Sequence, residues 1–416
     1  MRNEYVQQTV NTILAHVADG RPWTDPSLPN GAEFPTADYA DPAHLAAERR
    51  YLFDGRPHAV ALTADLPEPG SFVTRDQFSV PMVISRGQDG VIRALANVCA
   101  HRGGQVVNEA RGCGRRHACP YHAWTYDEAG TLVAVPDSGS FPDVEVPGAG
   151  LRAIPTAESD GIVWAWPGAL APQSTGICPE TFEAPDLGLI AEDLDVFDIA
   201  GHRHWRSHRF DLELNWKLVI DTFLEPYHFA SLHRDTVGPI FFPNLCVADR
   251  HGPQDLHVRH VIPRRSIAEL ADQPPETWNL VPHTALVYVL FPATVLVMQI
   301  DHIEVWRVWP QGDDPNRSWC DLDFYIPVGP STESSERHWE NNWKLTIDTV
   351  EFEDFDAMAG VQRGMASGVT ENVRFGANEP ALIMYHQALA AALADAAGGS
   401  AAADSNLAPG GVRGDD

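Results

Sequence analysis

Two mixed pairs, Cys99-x-His101 and Cys119-x-x-His122, stand in the segments CAHRGG and CPYHAW of a 416-residue chain. Each pair makes a tight loop that offers one thiolate and one imidazole to a metal. Together they match the ligand set of a [2Fe–2S] cluster in which one iron takes both Cys and the other both His. Imidazole donates less charge than thiolate, so such a cluster sits at a higher potential than an all-Cys one. The competing chemistry is structural zinc, which a Cys2His2 set also satisfies. Zinc frameworks usually pair Cys with Cys and His with His, so the mixed pairs favour iron and sulfur.

Glu225-x-x-His228-x4-His233 forms a second constellation. Two imidazoles and a carboxylate with open positions bind non-haem Fe(II) and leave room for O2. Residues three apart on a helix share a face, so Glu225 and His228 are neighbours. His228 and His233 are five apart, or about 140° around a regular helix. Both can meet one ion only if the helix carries a π-bulge or ends before His233. Further carboxylates come from DTVEFEDFDAMAGVQRG, which holds Glu351, Glu353, Asp354 and Asp356. Ile347, Val350, Met358 and Val361 read as a buried stripe, and Asp354 falls on it. A carboxylate on an apolar face wants a partner such as a metal; the other three read as solvated. His202, His204 and His208 alternate on a strand, and His257 and His260 lie three apart on another; these read as surface or core histidines. Phe223, Leu224, Phe291, Phe355 and Met358 are candidates to line an apolar pocket, and core packing explains them equally.

The elements that must position these groups are legible as patterns. Val6, Val10, Ile13 and Leu14 have helical spacing among polar residues, which predicts an amphipathic N-terminal helix and not a signal peptide. VPMVIS and VIRALANV flank the turn GQDG, and HAWTY and TLVAV flank DEAG, so the cluster loops sit at the ends of hairpins. A Pro- and Gly-rich connection follows from Pro167. HRHWRSHRFDLELNW then reads as strand and NWKLVIDTFLEPYHF as helix. LHVRHVIP, the run from Thr284 to Pro310 and CDLDFYIPV read as an antiparallel sheet. The apolar stretch Ala285 to Ile300 is broken by Pro292 and reads as two strands, not a membrane span. A helical region runs from Ser334 to about Ser367. NWKLVIDT from Asn215 is echoed by NWKLTIDT from Asn342, as a reused helix start or a pair of related ligand helices. Residues 396–416 read as a disordered tail.

Length admits a cluster module of about a hundred residues and a second, larger core. The net charge of −28 argues against nucleic acid and anionic membranes as partners. Arg102, Arg111, Arg115, Arg116 and His117 form a local basic exception near the cluster loops, where an acidic electron carrier could dock; a solvated loop or a subunit contact explains them equally. Cys113, Cys178, Cys246 and Cys320 lack paired spacing and read as buried or free thiols of a reducing compartment. The expected setting is a soluble, cytoplasmic protein.

Pro120, Tyr121 and Trp124 beside the ligands give the first motif a clear resemblance to Rieske proteins. Arg102 directly after His101 is the pattern of Rieske oxygenases and their ferredoxins. NWK followed by a carboxylate-x-x-His-x4-His resembles the iron site of Rieske non-haem iron ring-hydroxylating oxygenase α (terminal oxygenase) subunits, and the resemblance spans nearly the whole chain. It implies an α+β fold: a small antiparallel β Rieske [2Fe–2S] domain, residues 40–167, inserted in a larger helix-grip catalytic domain of antiparallel sheet plus helices, residues 1–39 and 168–395. It implies that Cys99, His101, Cys119 and His122 hold the cluster and that His228, His233 and Asp354 hold a mononuclear Fe(II). Glu225 would then be no ligand but a bridge for electrons, joining His228 to a Rieske His of a neighbouring subunit in a homotrimer, with or without a β subunit. Asp221, four residues before the bridge, stands where the family often has Asn and is a further catalytic candidate. The implied activity is hydroxylation (mono- or di-) or oxidative demethylation of an aromatic or other small hydrophobic substrate, with O2 as co-substrate. No dinucleotide fingerprint and no plant-type ferredoxin spacing is present, so NAD(P)H would act only through a separate reductase or ferredoxin. A Rieske electron carrier without oxygenase activity is the alternative.

Overall fold

The computed structural model describes residues 1–148, 150–171 and 182–405. Its larger domain is built on a seven-stranded antiparallel sheet. The strands are β1 (Arg203–Leu212), β2 (Val247–His251), β3 (His257–Pro263), β4 (Thr284–Leu290), β5 (Thr294–Met298), β6 (Ile303–Pro310) and β7 (Ser318–Ile326), in the spatial order β1-β7-β6-β5-β4-β3-β2. Pro292 lies in the turn between β4 and β5, where Leu286 pairs with Met298. Both faces of β4 are buried. Ala285, Val287 and Val289 join one core, and Leu286, Tyr288 and Leu290 join another. That explains the near-continuous apolar text: alternation marks a strand only when one face meets water.

Helix α1 (Asn3–Asp19) covers the second core with Val6, Val10 and Ile13 and ends on Gly20 at φ +66°, a left-handed cap. On the other face lie α2 (Trp216–Asp221), α3 (Glu333–Thr349), α4 (Asp356–Ala366) and α5 (Pro380–Ser405). Residues 396–405 therefore continue a helix where the composition reads as disordered. Alanine, abundant there, is the strongest helix former. Residues 406–416 lie outside the described residues, as does Cys178. Among the described cysteines none is bridged; Cys246 and Cys320 are buried and Cys113 is exposed.

The smaller domain holds a five-stranded antiparallel sheet and two three-stranded ones. Its expected hairpins are present, Met82–Arg86 with Ile92–Ala96 and Thr125–Asp127 with Leu132–Ala134. The two domains share a buried charge cluster. Asp323 on β7 accepts from Arg75 at 3.0 Å, from Arg307 on β6 at 2.7 Å and from Arg111 at 3.4 Å. Burial alone would raise the Asp323 carboxyl pKa, but the three guanidinium groups outweigh it and hold it well below the usual range. Arg111, read as part of a basic docking patch, is thus committed to this clamp and to Asp65 at 3.1 Å.

The repeated octapeptide has two different fates. At its first occurrence Asn215 caps the short, wholly buried α2. At its second, Asn342 lies in the middle of α3, so the reading as a reused helix start does not hold there.

Candidate functional site

The two Cys-His loops meet at one end of the smaller domain. The first closes through Gly103, at φ +76°, whose N–H donates to the Cys99 carbonyl at 2.9 Å. The second closes through Ala123, whose N–H donates to the Cys119 carbonyl at 2.9 Å. Ala123 sits at φ +55°, a conformation that L side chains rarely adopt. Both sulfurs are buried, and neither forms a disulfide. The imidazoles lie outermost: His122 is exposed and His101 half-buried. Their rings are 4.6 Å apart, and His101 stacks on Trp124 at 4.9 Å. The Tyr126 oxygen accepts from the Ala100 N–H at 3.0 Å and lies 3.2 Å from the Cys99 sulfur, so its own hydrogen is free for that sulfur. Two buried thiols beneath two outward imidazoles fit the cluster that a Rieske domain carries. Arg102 lies over the Tyr121 ring, which is 60% exposed, so both belong to the surface around the imidazoles.

The second constellation is built on irregular backbone. Helix α2 stops at Asp221, and His228 sits on a 3-10 turn, Tyr227–Ala230. Of the two devices expected, the early helix end is the one present between Glu225 and His233. The π-turn occurs elsewhere, at Val350–Phe355 between α3 and α4, and carries Asp354. Nε2 of His233 lies 3.1 Å, and Nε2 of His228 3.4 Å, from the same Asp354 oxygen. One ligand atom from each of the three residues lies within 4.8 Å of the others. His228 Nε2 and Asp354 Oδ1 are buried with no hydrogen-bond partner, which such groups avoid unless an ion takes that place. The far nitrogens are held by carboxylates: His228 Nδ1 by Glu225, and His233 Nδ1 by Glu353 at 2.6 Å. Burial works against a proton on His233, but Asp354 and Glu353 outweigh it and raise its pKa. This carboxylate–histidine arrangement orients metal ligands and fits a mononuclear iron.

Sequence patterns mislead at several positions here. Glu353, read as solvated, holds His233 and also accepts from Thr236 at 2.7 Å. The π-turn inserts one residue and rotates the following turns by about 100°. Val361, assigned to the buried stripe, is consequently 38% exposed, and Gln362 and Met365 are buried instead. Asp221 accepts from Tyr39 and His386, each at 2.8 Å.

A cavity of about 340 Å³ opens beside His228, His233 and Asp354. Of the five predicted lining residues, only Phe223 lines it. Leu224 and Met358 belong to the core, Phe291 meets Arg56 beyond the β4 end, and Phe355 turns to Phe210 at 5.3 Å. Phe355 follows Asp354 directly, so the helix points it elsewhere. The polar wall, with Arg264, Gln299, Asp301, His302 and Glu304, comes from the ends of β3 and β6, the segment joining β5 to β6 and β6 itself, and had no signal in the local pattern.

The fold and both sites define a protein with a cluster domain and a mononuclear metal domain. Known families agree. Residues 56–149 match the Rieske [2Fe-2S] domain, and residues 198–395 match the ring hydroxylating alpha subunit (catalytic domain). The chain belongs to the Rieske oxygenase α-subunit family that joins these two domains. It is 30% identical over 207 residues to the glycine betaine monooxygenase oxygenase subunit of Chromohalobacter salexigens, covering 50% of this chain and 44% of that one. It is 29% identical over 241 residues to the anthranilate 1,2-dioxygenase large subunit of Burkholderia cepacia, covering 55% and 54%. The chain thus spans about half the length of the curated relatives it matches. The quaternary ammonium Rieske monooxygenase CntA superposes with a TM-score of 0.72 at 21% identity, over 89% of this chain and 99% of that one. The Rieske domain carries a [2Fe–2S] cluster, and the family's catalytic domain binds a mononuclear iron and uses O2. No helix among the described residues is long and apolar enough to cross a membrane.

Proposed function

We propose that this chain is the terminal oxygenase component of a multi-protein system. It takes electrons from a separate reductase or ferredoxin and hydroxylates, or oxidatively demethylates, a small substrate. The observation that carries this is the convergence of His228, His233 and Asp354 at a cavity large enough for an organic molecule. A pure electron carrier needs no such cavity. Bound there, a mononuclear iron would supply the O2 chemistry.

The chain's own residues do the rest. Glu225 and Glu353 fix the tautomers of His228 and His233, so each presents Nε2 to the metal. Phe223, Phe229, Val237, Ile240, Phe241 and Ile262 line the cavity, keep water out and hold an aromatic or other hydrophobic body. Cys99, His101, Cys119 and His122 hold the cluster. Glu225 is assigned as the link by which an electron reaches His228 from a neighbouring copy, which sets the working form as a trimer. A cytoplasmic setting goes with this reading.

Metal analysis tests the class. About three irons per chain and substrate-dependent O2 uptake with a reductase are expected; about two irons and no uptake would leave an electron carrier. Glu225→Gln tests the link: both iron centres should stay loaded while turnover stops, and full retained activity refutes the assignment.

A further inference from the structure

The cavity has a metal end and a polar end, and at the polar end Arg264 has hydrogen-bonding capacity to spare. Arg264, just beyond β3, lines the cavity together with Phe241. A guanidinium group has five N–H donors. Arg264 commits one to the Thr284 carbonyl at 3.4 Å and one to Gln299 Oε1 at 2.6 Å, both neutral acceptors. Among the described residues it forms no ion pair. Burial pulls its pKa below the ordinary arginine value and Asp301 opposes that, yet a guanidinium stays charged at any physiological pH.

The neighbouring acids are already occupied. Asp301 binds His302 at 2.9 Å and His338 at 2.7 Å. Glu304 binds Thr346 at 2.9 Å, Trp306 at 3.1 Å and His302 at 3.4 Å. A cationic substrate group would have to share these acceptors with the side chains they already bind, whereas an anionic one meets open donors on Arg264.

Arg264 is also joined to the metal end by a row of rings. Its guanidinium lies 4.8 Å over Phe241, Phe241 lies 5.7 Å from Phe229, and Phe229 packs on His228 and His233 at 5.0 and 5.4 Å. A molecule anchored at Arg264 would lay its body along these faces and bring its far end to the ligand triad. Ile300 and Leu345, both lining the cavity and partly exposed, mark its mouth.

We propose that Arg264 is a specificity-determining residue and that the substrate is an organic acid, an apolar and preferably aromatic body carrying a carboxylate that Arg264 receives. This rests on the oxygenase reading for the site and adds the chemical class of its substrate. Planar guanidinium suits carboxylate because two parallel N–H···O bonds can form.

The test needs no turnover. Iron(II)-loaded protein, kept free of O2 and of any reductase, is titrated calorimetrically with benzoate and 3-phenylpropionate and with the amide of each. At least one acid should bind about tenfold or more tightly than its own amide. Arg264→Gln should abolish that preference, and Arg264→Lys should restore part of it, with iron content and circular dichroism unchanged. If neither acid outbinds its amide, the inference fails. If the preference survives Arg264→Gln, the carboxylate is bound elsewhere, on the metal for instance, and the inference fails as well. Failure of the oxygenase reading shows separately, as a missing third iron or absent O2 uptake.

Discussion

Two pairs of histidines serve the two candidate metal centres, and their surroundings are opposite. His101 and His122 are outermost on hairpin loops, braced by Trp124 and Tyr121, with no carboxylate among the described residues paired to either ring. His228 and His233 lie at the wall of a cavity, and each has its outer nitrogen held by a carboxylate. A centre that exchanges electrons with other proteins must present its ligands at the surface. A centre that handles O2 and substrate must fix its ligands tightly and exclude water. The difference lies in what stands behind the imidazoles rather than in the imidazoles themselves.

The contrast breaks most completely at Asp354. Asp354→Ala should empty the mononuclear site and lower turnover by roughly a thousandfold, the several kcal/mol that a metal centre contributes. Iron should fall from about three to about two per chain, with the visible spectrum of the cluster unchanged; loss of both centres together would show that they are not independent.

A third set of histidines sharpens the comparison, because it lies outside both ligand sets. Burial pushes His58, His257 and His260 down to about 4. The unfolded chain takes up their protons below about pH 6.5, and the folded one only near pH 4. Stability from these groups is therefore complete above pH 6.5 and lost as pH falls toward 4, by about 3 kcal/mol for each. Thermal melts across that window should show the midpoint dropping steadily; a flat profile would mean that these rings are not kept neutral by the core.

Glu353 probes the support behind a single ligand. Glu353→Ala should weaken iron binding about 10- to 100-fold, seen by chelator competition, and spare the cluster. The smallest effect belongs to the exposed centre. Tyr126→Phe removes a hydrogen bond to the Cys99 sulfur, worth about 1 kcal/mol, and should lower the cluster potential by about 40 mV for a one-electron couple. An unchanged potential would place the Tyr126 hydrogen elsewhere.

Much of this was legible in sequence because it is local. The Cys-x-His and Cys-x-x-His loops, the Glu225–His233 spacing and the strands around Pro292 depend on residues within a few positions of one another. Asp354 was found by the cost of burying a carboxylate on an apolar stripe. Glu353 was missed because the same stripe assumed 3.6 residues per turn through a segment that is π-helical. Phe291 and Phe355 were misplaced because hydrophobicity marks burial without saying which cavity, if any, a ring faces. Arg264, Gln299 and Glu304 approach the cavity from separate strands and loops of the sheet domain, and only tertiary structure brings them together.

The turn at Val350–Phe355 has one more implication. It amounts to a single extra residue tolerated inside an otherwise continuous rod from Glu333 to Ala366. Deleting Phe352, which is exposed, would yield a more regular and easily formed rod, and would swing Asp354 away from both imidazoles. Catalytic competence and local helical perfection are thus mutually exclusive at this point of the chain, and a shortening that improves the second would extinguish the first.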